Sequence, residues 1–448
     1  YNKIKKILDQ IDKVALNKEF QFINATFKET VKDNKVNILI TLFESEKIFI
    51  DRINVFGNYI TEEKVVRNSL FIDEGDALNQ ILLKKSINEI KSKGIFKSVD
   101  YKLVDVSKNK KTINIMVDEK PTGEIFAGVG TGTSGSNISF GLNEKNFLGI
   151  GSSLKSDISL ATEGITGSVS YYSPNFKDSD KDLVSSVEIL ERDFMDDYGY
   201  KTNRQGFSLG YSFEQYRDIY FSPSISSYYE NLKTSSKASQ LKKKQEGNYF
   251  EGQFLYGVTL NKLNQNFQPT DGFRTSFHQS IPILSDDMSF KNSYKFSTFY
   301  KLPQDVIFSL RFNVDAIHSL NGDDVRVSKR IFMPETRLRG FSSGKIGPKD
   351  SGEYIGGNYG SSLNLGATLP EFLKDLENID FSLFLDMANI WGVDYDSKLD
   401  SNKLRSSTGL AVDWFTPIGP LSFSFATALS KADSDTTESF RFNIGTSF

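Results

Sequence analysis

Val306-Ile307-Phe308-Ser309-Leu310-Arg311-Phe312-Asn313-Val314-Asp315 is the stretch that decides how the rest of the chain is read. Val306, Phe308, Leu310, Phe312 and Val314 fall on one side of an extended backbone. Ile307, Ser309, Arg311, Asn313 and Asp315 fall on the other. Successive side chains of a strand point to opposite faces, so the stretch reads as a strand with one apolar face. Leu421, Phe423 and Phe425 oppose Ser422, Ser424 and Ala426 in the same way, and Phe440, Phe442, Ile444 and Phe448 oppose Arg441, Asn443, Gly445 and Ser447.

Working outward, sixteen such runs occupy residues 123–133, 136–147, 150–162, 164–174, 182–194, 203–213, 216–230, 248–261, 272–283, 290–302, 305–317, 357–370, 379–391, 404–414, 419–431 and 438–448. A soluble sandwich alternates too. These runs, however, suit tilted membrane spans of roughly 9–11 residues better than the usual strand of about five or six. Their number is even, and the connections are expected to alternate between short and long, as in barrels with two unlike rims. The fold class expected is a transmembrane β-barrel of sixteen antiparallel strands over residues 121–448.

Composition narrows the function. The 448 residues include no cysteine and two histidines, His278 and His318. That excludes zinc ribbons, iron–sulfur clusters, a thiol nucleophile and disulfides, and leaves little for Ser-His-Asp chemistry. No metal, cofactor or catalytic residue is expected. Only 38% of residues are hydrophobic while 13% are aromatic, a balance that fits strands with aromatic girdles rather than a soluble α/β enzyme. No apolar run is long enough for a transmembrane helix. Residues 1–120 carry a net +4 and the remainder −7, with no basic stripe of the kind nucleic acid requires. The chain opens Tyr1-Asn2-Lys3 with neither Met nor signal peptide, so it is expected to be a piece of a longer precursor.

Before the barrel the period changes. Ile4, Ile7, Leu8, Ile11, Val14 and Ala15 predict a helix over 2–17, followed by strands at 19–30 and 35–44. Residues 1–46 thus read as the C-terminal part of a truncated module, and 47–120 as a complete one. In the latter, Thr61 is the expected N-cap of a helix running to about Leu70, a second helix carries Leu78 to Ile90, and Gly94 ends it. The ordered set Ile53-x-Val55-x-Gly57-Asn58, Gly75-Asp76 and Gly94-x-Phe96-x-x-Val99 resembles a POTRA domain. Acidic Asp73, Glu74 and Asp76 are read as turn residues.

Further motifs lie in the barrel. Arg337-Leu338-Arg339-Gly340-Phe341 is followed by Ile346-Gly347-Pro348, inside a connection from His318 to Gly356 that is far longer than an ordinary loop. Asn146-Phe147-Leu148-Gly149, Pro269-Thr270-Asp271-Gly272, Asp386-Met387-x-x-Ile390-Trp391, Pro417-Ile418-Gly419-Pro420 and the terminal Phe442-Asn443-Ile444-Gly445-Thr446-Ser447-Phe448 complete the set. Together they resemble the BamA outer-membrane assembly family over nearly the whole chain. Leu338 departs from the family's usual Val, residues 332–336 lack glycine, and the acidic residue often found in the family's twelfth strand is replaced near Gly366.

If the loop folds into the barrel, Arg339 brings a permanent charge into a confined space and needs a carboxylate. Strand parity supplies Asp386: Phe381, Leu383 and Leu385 face lipid, so Asp386 faces the lumen. The resemblance implies the pairing, with Gly340 and Phe341 beside it. It also implies a lateral gate where the first strand, weakened by Gly123, Gly128, Gly130 and Gly132, meets the last, with Phe442, Ile444 and Phe448. A curved barrel strand accounts for the glycines equally. Lys242-Lys243-Lys244 is expected in a solvated loop, with lipid phosphates as the alternative contact.

The resemblance implies an insertase in the outer membrane of a Gram-negative bacterium, with POTRA domains in the periplasm. Unfolded outer-membrane protein clients, accessory periplasmic lipoproteins and outer-membrane lipids would be its partners. A POTRA-containing two-partner secretion pore is the alternative.

Overall fold

The computed structural model describes residues 23–32, 35–44, 48–266, 268–369, 378–400, 402–416 and 419–444. The chain divides into two compact units, one of residues 1–124 with 144–154, the other of 125–143 with 155–448.

In the first unit, β1 (Ile23–Lys32) and β2 (Lys35–Glu44) form an antiparallel hairpin. The helix expected over 2–17 lies outside the described residues. A three-stranded sheet follows in the order β3-β5-β4, with β3 (Phe49–Phe56) parallel to β5 (Lys110–Glu119) and β4 (Phe96–Ser107) antiparallel to it. Helices α1 (Glu63–Arg67) and α2 (Gln80–Ser92) contribute Val66, Leu83, Ile87 and Ile90 to a core shared with Ile50, Ile53, Ile113 and Ile115 of the sheet. Asn79 caps α2 by accepting from the amides of Ile81 and Leu82, and Gly94 (φ +67°) takes the left-handed turn that stops it.

Thr61 is not a cap. Its hydroxyl accepts from Asn146 Nδ2 (2.9 Å) and its amide donates to Glu119 (2.6 Å), so the helix begins only after Glu62, with no side-chain cap, and ends at Arg67 rather than near Leu70.

Sixteen strands form a closed barrel. Its first eight are β6 (Gly123–Gly132), β7 (Gly135–Phe147), β8 (Ser152–Ala161), β9 (Gly164–Ser173), β10 (Asp182–Phe194), β11 (Tyr200–Tyr216), β12 (Ile219–Thr234) and β13 (Gly247–Asn261). The rest are β14 (Gly272–Ser285), β15 (Ser289–Lys301), β16 (Ile307–Ser319), β19 (Tyr359–Leu369), β20 (Ile379–Trp391), β21 (Arg405–Thr416), β22 (Gly419–Ser430) and β23 (Phe440–Ile444). Between β16 and β19 lie two short strands, β17 (Lys349–Asp350) and β18 (Glu353–Tyr354). Every barrel ladder among the described residues is antiparallel, which pairs backbone groups between neighbouring strands as a lipid-embedded wall requires.

Exposure follows the two-residue period. Val187 and Ile189 on β10, Phe207, Leu209 and Tyr211 on β11, and Leu383 on β20 point outward and are exposed. Phe384, Asp386, Ala388 and Ile390 point inward and are buried. A soluble fold would hide the first group. A lipid-facing wall displays it. Among the described residues no helix is long and apolar enough to cross a membrane; the strands do so.

Two expectations about the wall need correction. The sixth strand runs past 203–213 at both ends and the seventh is shifted to Ile219–Thr234, because Tyr200 and Leu232 at their far ends pack in an apolar cluster with Phe194, Tyr198 and Tyr354 and stay paired there. The rims do not alternate strictly either. The rim holding the 320–358 connection also holds the tight Thr162-Glu163 turn, while the other rim holds connections as long as 262–271.

Candidate functional site

The 320–358 connection leaves β16 and turns into the barrel. Val325, Ile331, Met333, Leu338, Phe341 and Ile346 bury themselves against Ile317, Ala388 and Ile390 of the wall. Alternate large apolar residues in the loop therefore supply a lumenal core, and the polar residues between them are carried to the wall.

Arg339 meets Asp386 in fork geometry. Its Nε donates to Oδ2 at 2.8 Å, its Nη2 to Oδ1 at 2.8 Å, and its own backbone amide to Oδ2 at 3.1 Å. Asp386 is 0% exposed. Asn364, opposite Asp386 on β19, donates from Nδ2 to Oδ1 (2.8 Å) and to the Arg337 carbonyl (2.9 Å). The guanidinium lies 3.5 Å from the centre of the Phe384 ring. Every oxygen of this buried carboxylate is thus occupied, which is what makes a desolvated ion pair tolerable. Arg337, on the other side of Leu338, pairs with Asp315 of β16, which also accepts from Ser293 (2.7 Å).

Gly340 sits at φ +86°, and a Cβ there would lie 3.0 Å from that of Ala426 and 3.3 Å from that of Ser407. Handedness and space both require glycine. From this point the loop pairs with the segment that leads into β23. Glu438 donates its amide to the Gly340 carbonyl (3.0 Å), Phe341 bridges Thr437, and Ser342 donates to the Thr436 carbonyl (3.0 Å).

Three further attachments have no counterpart in the sequence reading. Arg326 reaches Glu230 (2.9 Å), Asp287 (2.7 Å) and Glu251 on the opposite wall and lies 3.8 Å from the centre of the Tyr249 ring. Lys329 joins Glu251 at 2.7 Å; burial pulls its amine down to about 8, against the pull of Asp287. Arg405 and Asp435 form a two-point pair, 2.9 Å at both contacts. Lys242, in α3 (Gln240–Lys243), is the third and overturns an expectation. It is 1% exposed, donates to Glu353 (2.7 Å) and to the Tyr198 carbonyl (2.6 Å), and burial lowers its pKa despite Glu353. The run of lysines is not a solvated loop as a whole, because loop β18 brings a carboxylate to its first member. These attachments carry little local signal: their partners are far apart in sequence, and an isolated Glu or Asp on a strand looks like any lumenal residue.

The barrel closes where β23 meets β6. Asn443 stands opposite Gly132 and Ile444 opposite Thr131, and the Thr133 amide donates to the Phe442 carbonyl (3.2 Å). A Cβ on Gly132 would lie 2.7 Å from that carbonyl oxygen, and one on Gly130 would meet the Asn137 side chain at 2.4 Å. Gly132 and Phe442 are therefore brought together. The described register covers Thr131 and Gly132 of β6, and Phe448 lies outside the described residues. On the lumenal side a cavity of about 470 Å³ is bounded by both seam strands and by the loop, including Gly132, Ser134, Glu335, Arg339, Arg441 and Phe442.

With this geometry in place, the likeness to known proteins can be stated. The Omp85 superfamily domain model matches residues 146–448, and the POTRA model, described as a surface antigen variable number repeat, matches residues 48–120. The outer membrane protein assembly factor BamA of Neorickettsia risticii is 25% identical over 425 residues, 93% of this chain and 57% of that protein. The chain spans about half the length of the curated BamA relatives it matches. Among solved structures, BamA from Haemophilus ducreyi lacking POTRA domains 1–3 aligns with a TM-score of 0.82 and 22% identity, covering 100% of this chain and 93% of that one. CdiB from Acinetobacter baumannii aligns at 0.60 and 13%, covering 98% and 82%. The fold is shared with both, and more closely with the first. With its family model spanning residues 146–448, the chain belongs to the Omp85 superfamily.

Proposed function

We propose that this chain is the membrane-embedded part of an assembly factor that folds and inserts β-barrel proteins into the outer membrane. The observation that carries the reading is the seam. There β23 meets a strand that carries Gly123, Gly128, Gly130 and Gly132, with Asn443 opposite Gly132 and Ile444 opposite Thr131. A strand rich in glycine offers few side-chain contacts across its junction, which makes it a joint that can part and offer a strand edge to an incoming chain. No covalent step is needed. The client gains stability by completing its own strand ladder and burying its apolar face in lipid, and the barrel supplies the template. Residues 1–46 are read as the end of a preceding POTRA domain and 47–120 as a complete one. Both would engage clients or accessory lipoproteins on the periplasmic side, with outer-membrane lipids around the barrel.

The full-length protein in liposomes should accelerate the folding of a urea-unfolded client barrel over lipid alone. Thr131 and Ile444 stand directly opposite each other, so a Thr131→Cys/Ile444→Cys disulfide should suppress that acceleration, and reductant should restore it. No acceleration by the unmodified protein sinks the assembly reading. Undiminished acceleration by the crosslinked protein sinks the seam as its site.

A further inference from the structure

Arg441 lies on β23 and touches three separate parts of the second unit. Its Nη1 is 3.1 Å from Glu335 Oε1 of the long loop and donates to Ser134 Oγ, in the β6–β7 turn, at 3.0 Å. Its Nε donates to Glu438 Oε2 at 3.0 Å, and Nη2 contacts the same carboxylate. Glu438 in turn gives its amide to the carbonyl of Gly340, next to the anchored Arg339. One rigid guanidinium thus holds the last strand, the loop and the first hairpin together. Five donors in a planar fork allow this, and a lysine would not reproduce it.

The three contacts differ in kind. Those to Glu335 and Glu438 are charge-assisted, and the loop is joined to the approach of β23 by the backbone bonds at Gly340, Phe341 and Ser342 as well. The contact to Ser134 is a single hydrogen bond to a neutral hydroxyl, and it is the one that crosses the seam. All three have an ionised donor, but a carboxylate adds an opposite full charge that the hydroxyl of Ser134 lacks. When the seam parts, the Ser134 bond is the one to break.

We propose that Arg441 is a positioning residue for seam opening: it latches β23 to the β6–β7 turn through Ser134, and on release the long loop stays with β23. This rests on the assembly reading for its biological use, but the latch itself can be measured with no client present.

The test is site-resolved amide exchange on the full-length protein in nanodiscs, with heat-modifiable migration on gels as the check that each variant is folded. Two amides report: Thr133, bonded across the seam to Phe442, and Glu438, bonded to Gly340 of the loop. Arg441→Gln should speed exchange at Thr133 about tenfold while Glu438 stays protected. Ser134→Ala, which leaves the arginine and both carboxylates in place, should speed Thr133 in the same direction. The proposal is overturned if Thr133 exchanges at the wild-type rate in either variant. It is also overturned if Glu438 loses protection in step with Thr133, since the loop would then not travel with β23. A general packing role for Arg441 would not be mimicked by Ser134→Ala. Client folding is absent from the measurement, so failure of the latch and failure of the assembly reading are separate results.

Discussion

The ladder between β10 and β11 runs without a break from Asp182 opposite Ser212 to Phe194 opposite Tyr200 with side chains along most of its length, while β6 meets β23 through Gly132, which has no side chain to pack across the junction. The long loop presents a second contrast with the seam. It is fastened to two walls of the barrel by buried charge, at Arg326 on one side and at Arg339 on the other. A segment formally a loop is thus held more firmly than a junction formally part of the sheet. Stiffness here follows the density of desolvated, charge-paired contacts rather than the class of secondary structure.

The largest expected effect tests the firm side of that contrast. Arg326→Ala leaves Glu230, Glu251 and Asp287 facing one another with Lys329 as their remaining neighbouring cation. Removing one member of a buried charge group costs about 3–5 kcal/mol, and three stranded carboxylates put this variant near the top of that range. The gel temperature at which the barrel loses its compact form should fall more for Arg326→Ala than for any single change at the seam. A smaller drop than for Gly132→Ala would invert the comparison.

Asp386→Ala comes next. It strands Arg339 and removes one of the two acceptors of Asn364, with a cost at the lower end of the same range because Arg339 retains some access to water. Arg339→Ala should be close to it, and the double variant little worse than either single, since the two groups act as one contact. Limited proteolysis should find new cleavage near residues 335–342 but not near Arg326 or Glu353, whose attachments are untouched. Cleavage along the whole of 320–358 in Asp386→Ala would show that a single anchor holds the loop.

The unequal legibility of these features has a physical basis. The barrel was readable because lipid outside and a polar lumen inside impose opposite demands on alternate residues, and Val306 to Asp315 records both. Parity places Asp386 on the inward face and the permanent charge of Arg339 needs a partner, but it is the family resemblance that implies their pairing, which the structure holds as a two-point contact. Asn364 was not readable, for a neutral amide on a strand announces nothing, and the missing acidic residue near Gly366 drew attention two positions away. Arg326 was not readable either, since its carboxylates come from three places in the chain. Lys242 was misread because lysine runs are usually solvated, and its partner Glu353 lies 111 residues on. Thr61 was misread because its hydroxyl, the right group for a cap, is taken by Asn146.

The smallest expected effect sharpens the comparison with a pair of glycines. Gly132 and Gly340 both lie where an added methyl meets neighbours, but different ones. At Gly132 the obstacle is the Phe442 carbonyl oxygen at 2.7 Å, a backbone atom of the opposing seam strand. Gly132→Ala should push β23 away by a few tenths of an ångström and weaken the Thr133–Phe442 hydrogen bond, a loss of about 1 kcal/mol. Exchange at Thr133 should rise about fivefold, with the loop amide of Glu438 unchanged. At Gly340 the obstacles are Ala426 and Ser407, and the positive φ adds strain of its own. Gly340→Ala should therefore expose the Glu438 amide and leave Thr133 as it was. The two substitutions make the same chemical change, so opposite exchange patterns would assign seam and loop to separately held joints. If both raised exchange at both amides, anchor and seam would form one cooperative unit, and the contrast between a firm loop and a yielding seam would not hold.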